Sequence, residues 1–279
     1  MRIVISQDSD AVADYVASYI IDRIHDFSPS KERPFVLGLP TGGTPVRTYQ
    51  RLIQAYREGR VSFRNVVTFN MDEYVGLPRE HPQSYFYFMK TNFFDFVDIP
   101  EENRNLLDGT VPDLIQECRR YEDKIRQVGG IHLFLAGIGT DGHIAFNEPG
   151  SSLDSVTRVK SLNDETVASN ARFFNNDIRK VPTMALTVGI RTVMQAKSVL
   201  VIATGSKKAI AVARCVEGSV SHVHPITALQ LHPSAVLCLD EDATLELKVK
   251  TVKYFKGLLK REDELKRRQE QAPNTMSKM

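Results

Sequence analysis

The chain has 279 residues, 42% hydrophobic and 25% charged, ordinary values that argue against a disordered or fibrous protein and suit one large α/β domain. Its net charge is +2 with the signs interspersed, so composition makes no case for nucleic acid or a membrane surface, and any anionic ligand must be held locally. Three cysteines (Cys118, Cys215 and Cys238) with no C-x-x-C pair support neither a disulfide framework nor a zinc knuckle and imply a reducing, cytoplasmic setting, while no run approaches the roughly 18 apolar residues of a membrane span.

In chain order, Met1 to Ser6 reads as a strand instead of a signal peptide, followed by a helix with Val12, Val16, Ile20 and Ile24 on one face. A strand at Phe35 to Leu39 precedes a helix that has Pro45 in its first turn and stops near Gly59, and Val66 to Asn70 is the third strand. Strand patterns at 131–136, 183–188, 198–204 and 235–239 then alternate with helical ones near 111–128, 206–217 and 241–259. This alternation predicts a doubly wound, mostly parallel sheet with helices on both faces, a Rossmann-like α/β single domain. Phe93, Phe94 and Phe96 are expected in the core, and the charged segment 260–279 is expected to be a flexible, solvated tail. The last three residues, Ser277-Lys278-Met279, resemble a peroxisomal address, the alternative to a cytoplasmic location.

Open parallel sheets bind ligands beyond the carboxyl ends of their strands, so the chemistry is sought in the segments that follow each strand. After the second comes Pro40-Thr41-Gly42-Gly43-Thr44-Pro45, whose amides, hydroxyls and helix start make either a phosphate cradle or a plain turn. After 198–204 comes Gly205-Ser206-Lys207-Lys208, where a lysine at a helix start works against the dipole unless an anion is near, and two such loops favour phosphate. Asp72, just past the third strand, is either a loop or cap aspartate or a base able to take a proton from carbon beside a carbonyl; it is expected to be ionised at neutral pH unless burial opposes this. After 131–136 comes Gly137-Ile138-Gly139-Thr140-Asp141-Gly142-His143-Ile144-Ala145-Phe146-Asn147-Glu148-Pro149, with two carboxylates and an imidazole among glycines. Its G-x-G-x-x-G spacing resembles a dinucleotide fingerprint, but Pro149 and Gly150 cut off the long helix that should follow and Asp141 would repel a pyrophosphate. Acid–base chemistry through Asp141 and His143 is the better reading. The remaining histidines pair with no carboxylate or cysteine at ligand spacing, so no catalytic metal and no cofactor are expected.

These motifs, with Phe69-Asn70-Met71-Asp72-Glu73-Tyr74 and Lys248-Val249-Lys250-Thr251-Val252-Lys253-Tyr254-Phe255, resemble the glucosamine-6-phosphate deaminase (isomerase) family over residues 1 to about 259. The resemblance implies conversion of D-glucosamine 6-phosphate and water to D-fructose 6-phosphate and ammonium without a cofactor. It implies that His143, supported by Asp141 and Glu148, opens the sugar ring, and that Asp72 moves a proton from C2 to C1. It places Gly42, Gly43, Thr44, Arg172 and Lys208 on the phosphate and a mobile lid over about 163–182. It also implies a homohexamer activated by N-acetylglucosamine 6-phosphate at Ser151, Arg158, Lys160, Ser161 and Tyr254. Val156, Ser161 and His224-Pro225 depart from the residues usual in the family, which puts activation, not catalysis, in question. The rival readings are a 6-phosphogluconolactonase, which needs no enolising carboxylate, and a non-catalytic sugar-phosphate sensor, for which the chain offers no DNA-binding module.

Overall fold

The structure, a computed structural model, describes residues 1–271. Strands β1 (Arg2–Ser6), β2 (Phe35–Leu39) and β3 (Val66–Asn70) alternate with helices α1 (Ser9–Phe27) and α2 (Gly43–Arg57). Then come β4 (Asp72–Tyr74), α3 (Tyr85–Asn92), β5 (Arg104–Asn105), α4 (Leu114–Gln127), β6 (Leu133–Gly137), β7 (Arg158–Ser161) and α5 (Asp164–Asn170). β8 (Met184–Thr187), α6 (Ile190–Met194), β9 (Ser198–Ala203), α7 (Ala209–Glu217), β10 (Ala235–Asp240) and α8 (Val249–Gln271) complete the chain.

Seven strands form one sheet in the order β1-β10-β9-β6-β2-β3-β5, every pairing parallel. Because successive strand residues point to opposite faces, Phe35, Leu37 and Leu39 pack with α1 and α2, while Val36 and its neighbour Phe134 pack with α4, α6 and α7. The doubly wound reading is therefore what the chain builds. Gly38 on β2 sits in register with Phe134 on β6, and a Cβ there would run into the Phe134 ring. Gly38→Ala is expected to cost about 3 kcal/mol, the upper end for overpacking, with the urea midpoint falling and Phe134→Leu in the same chain recovering part of the loss.

Three features differ from the sequence expectation. The 183–188 strand does not join the parallel sheet: β8 pairs antiparallel with β4 and β7 in a separate three-stranded sheet. A run of alternating apolar residues carries no information about its partner, and here the partner is the short extension of β3. Phe93 and Phe94 are buried, but Phe96 is 41% exposed, with the Arg57 guanidinium over its ring. The last helix starts later than expected and runs through Gln271, so the boundary placed at 259 falls inside it, whereas Ser277-Lys278-Met279 lies outside the described residues. No described helix is long and apolar enough to cross a membrane.

The chain leaves β2 toward β3 and β5 on one side, and leaves β6 toward β9 and β10 on the other. The loops after these two adjacent strands therefore diverge, opening a crevice between them, which is where an open α/β sheet binds its ligand.

Candidate active site

A cavity of about 460 Å³ occupies that crevice. Eight of the sequence-derived site residues line it: Gly42, Gly43, Thr44, Asp72, Asp141, His143, Arg172 and Lys208. They come from the loops after β2, β3 and β6, from the segment 163–182, and from the start of α7.

The cradle after β2 is built by conformation. Gly42 has φ +100°, a value L side chains rarely adopt, and this turns the chain into α2 with no side chain capping the helix N-terminus. The first amides of α2 are thus left for a ligand, with the positive end of the helix behind them. Lys208 faces this cradle, its Nζ donating to Ile138 O at 2.7 Å. Burial lowers its pKa, while Asp141 supports its charge and Arg172 opposes it. The Gly205 loop does less than its sequence promised, since the Gly205 amide is spent on both carboxylate oxygens of Asp240, each at 2.9 Å. Asp240 was not foreseen: it closes β10, far from the loop in sequence.

Asp72 begins β4, opposite Thr187 of β8, and is 8% exposed. Its Oδ1 is buried without a hydrogen-bond partner. Burial first, and the charge of Glu73 second, push its pKa to about 8, so the carboxyl is mostly protonated at neutral pH. This reverses the expectation of an ionised group, for which burial was the stated condition. Glu73, also raised by burial to about 7, accepts from the amides of Tyr74, Tyr85 and Phe86 and so anchors the N-terminus of α3. The buried Tyr74 and the partly buried Tyr85 complete this wall.

On the opposite loop, His143 Nδ1 lies 2.7 Å from Asp141 Oδ1, so the carboxylate stands against the edge of the imidazole. The His143 amide also donates to Asp141 Oδ1 at 3.2 Å. Burial opposes the Asp141 charge, yet these contacts with His143 outweigh it and hold Asp141 below the usual carboxylate range. A permanently ionised carboxylate orients an imidazole, while a mostly protonated one stands at Asp72. Two carboxyls whose surroundings drive their pKa values apart are the signature of divided acid–base roles. The helix that a dinucleotide fingerprint requires is absent after Gly142, where an isolated bridge joins Ile144 and Asn147 instead.

Glu148 is placed differently from the expectation. It is 3% exposed, does not line the cavity, and its Oε1 accepts from the Asn163 amide at 3.1 Å and from Thr166 Oγ1 at 2.7 Å. The carboxylate thus holds the first turn of α5 instead of reaching His143. From α5 and the turn after it, Glu165, Thr166, Ser169, Asn170, Arg172 and Phe173 cover the cavity. Asn170 Nδ2 donates to Tyr74 OH at 2.8 Å, a latch between this cover and β4 that the sequence did not disclose. Phe174 anchors the cover from below against Tyr74 and His81.

The five residues read as an activator site come from three parts of the chain: the loop after β6, β7 and α8. Arg158 donates to Asn147 Oδ1 at 2.8 Å, Ser151 Oγ is buried without a partner, and Tyr254 is 60% exposed on α8, which packs along β1. Lys160 and Ser161 lie on β7, with Ser161 exposed. Among the described residues no three His, Cys, Asp or Glu side chains converge as a metal site requires.

Residues 7–238 match the family model described as glucosamine-6-phosphate isomerases/6-phosphogluconolactonase. The glucosamine-6-phosphate deaminase of Tolumonas auensis is 59% identical over 258 residues, 92% of this chain and 97% of that protein. That of Glaesserella parasuis is likewise 59% identical, over 92% and 98% of the two chains. A solved monomeric glucosamine-6-phosphate deaminase superposes with TM-score 0.84 at 38% identity, covering 88% of this chain and 100% of the other. The 6-phosphogluconolactonase of Trypanosoma brucei, at TM-score 0.72, 20% identity and coverage of 88% and 98%, shares the fold alone. The chain therefore belongs to the glucosamine-6-phosphate isomerase/6-phosphogluconolactonase family, on its glucosamine-6-phosphate deaminase branch.

Proposed function

We propose that the protein converts D-glucosamine 6-phosphate and water to D-fructose 6-phosphate and ammonium, acting as a hydrolase on a carbon–nitrogen bond through an aldose–ketose isomerisation. The observation that carries this reading is the pairing, in one cavity, of a buried carboxyl tuned to about 8 at Asp72 with the Asp141–His143 pair and an uncapped helix N-terminus. The amides of Gly42, Gly43 and Thr44, with Lys208 and Arg172, hold the phosphate. His143, oriented by Asp141, moves the anomeric proton and opens the ring. Asp72 takes the C2 proton, leaving an enolamine, and returns it to C1, leaving a carbon–nitrogen double bond at C2. Water adds there, the nitrogen leaves as ammonium, and the ketone remains.

The tuning of Asp72 fits this sequence. A cationic amino group at C2 lowers a neighbouring carboxyl's pKa, so binding itself converts Asp72 from acid to base. A lactonase hydrolyses an ester and has no use for such a group. The segment 163–182 closes as a lid and keeps water from the enolamine until it is needed. Glu148 serves by holding the first turn of that lid.

Activation by N-acetylglucosamine 6-phosphate and a homohexamer belong to the same reading. The unpartnered buried Ser151 hydroxyl and the half-buried Arg158 support the first, and the exposed Tyr254 on α8 leaves an aromatic surface free for a neighbouring copy. A cytoplasmic location fits three buried free cysteines. The test is release of ammonium and fructose 6-phosphate from D-glucosamine 6-phosphate, with and without the activator, alongside the mass in solution. Release in equimolar amounts is expected; turnover of 6-phosphogluconolactone instead would overturn the assignment.

A further inference from the structure

The sequence marks His224-Pro225 as a departure, and the structure shows what this pair touches. His224 Nδ1 lies 3.1 Å from the carbonyl oxygen of Asp141. A carbonyl only accepts, so the ring carries its proton on Nδ1 and donates. The Ile226 amide donates to Gly142 O at 2.9 Å, so the peptide groups of Asp141 and Gly142, which lead into His143, are both held from this segment. A Cβ added at Gly142 would come to 3.3 Å from His224 Cβ, so the contact is close as well as polar.

The segment is rigid enough to act as a brace. His224 N donates to Ser221 O, closing a turn, and Thr227, 1% exposed, accepts from the Ser221 amide at 2.9 Å and points its one hydroxyl proton between His224 O at 2.7 Å and Ser221 O at 3.0 Å. Pro225 stands at the start of the next 3-10 helix, where its ring fixes φ and no amide is needed. The chain reaches this turn directly from α7, which Lys208 immediately precedes. Lys208 holds Ile138 O before α7 and His224 holds Asp141 O after it, so one short stretch grips both ends of the Ile138–Asp141 loop. The phosphate cradle and the imidazole pair are thereby built on a common frame.

We propose that His224 is a positioning residue for the Asp141–His143 pair: by donating to the Asp141 carbonyl it fixes the loop from which His143 works. The proposal rests on the deaminase reading for its kinetic consequence, while its structural consequence needs no substrate. His224→Ala removes the donor. His224→Asn offers an amide nitrogen near the place of Nδ1 and serves as the conservative variant.

With D-glucosamine 6-phosphate, His224→Ala is expected to lose about tenfold in kcat with KM within about twofold, because misplacement of a group that does not bind the phosphate costs rate and not affinity. His224→Asn is expected to stay within about threefold of the parent enzyme. In the absence of substrate, amide exchange at Gly139, whose N–H donates to His143 O, and at Gly142, whose N–H donates to Gly139 O, is expected to quicken about tenfold in the alanine variant and not in the asparagine one. The Gly205 amide, held by Asp240, serves as the unaffected reference. Unchanged exchange in His224→Ala, or equal effects of alanine and asparagine, overturns the positioning role. A parent enzyme that releases no ammonium sinks the deaminase reading instead and leaves the exchange result standing.

Discussion

Asp72→Asn is expected to lower kcat by about 10³- to 10⁴-fold while making the folded protein more stable. The loss follows from removing the group that carries a proton between two carbons, since an amide of the same shape binds sugar phosphate but accepts no proton from C2. The stability gain follows from burial. Asp72 has its pKa raised from 3.8 to about 8, so the folded chain holds this proton more tightly than the unfolded chain does. Its penalty is absent below about pH 4, grows as pH rises, and is complete above about pH 8. Asparagine has no charge to desolvate, so the variant's advantage grows over the same window. At pH 7 it is expected to reach about 1–3 kcal/mol, or a melting temperature higher by about 2–8 °C. Thermal melts at pH 4.5 and pH 7.5, with steady-state assays on the same samples, check both halves. In the parent enzyme kcat/KM is expected to climb about tenfold per pH unit toward pH 8, as the base loses its proton. A variant that is inactive and also less stable at pH 7.5 would mean that Asp72 holds the fold and is not tuned for proton transfer.

Gly139→Ala is expected to abolish most activity, by about 10²- to 10³-fold in kcat, with the fold intact. The His143 ring lies directly over the Gly139 Cα, and a Cβ there would penetrate the imidazole at its Cε1, Nδ1 and Cγ atoms. The methyl must therefore push the ring away from Asp141. Gly139 itself is in a loop at the cavity wall, outside the sheet, so the melting temperature is expected to move by no more than about 2 °C. The contrast with Gly38→Ala is instructive. Each glycine makes room for an aromatic ring, but the ring at Gly38 belongs to the core and the ring at Gly139 to the reaction. Measuring kcat and the urea midpoint for both variants separates the two uses: the first loses stability and the second loses rate.

Much of this site is legible in the sequence. Each of its loops follows a strand that reads as a strand, and the parallel order of the sheet gathers the carboxyl ends at one edge, so Thr41 to Thr44, Asp72 and Asp141 to His143 had to converge. The signals involved are local: apolar runs, glycine pairs and a proline at a helix start. What escaped is non-local. The partner of the 184–187 strand, the attachment of Glu148 to Asn163 and Thr166, the grip of Asp240 on Gly205, and the contact of His224 with Asp141 all join segments that no periodicity links.

The chain's own sequence thus determined the doubly wound sheet, the edge where chemistry occurs and the residue types that meet there, because periodicity and turn chemistry act over a few residues. Only the tertiary structure decided how those groups behave. Asp72 and Asp141 are the same residue type, yet burial beside Glu73 keeps one mostly protonated while contact with His143 keeps the other ionised. A carboxyl's charge depends on what surrounds it in space, and those surroundings exist only once distant parts of the chain have packed.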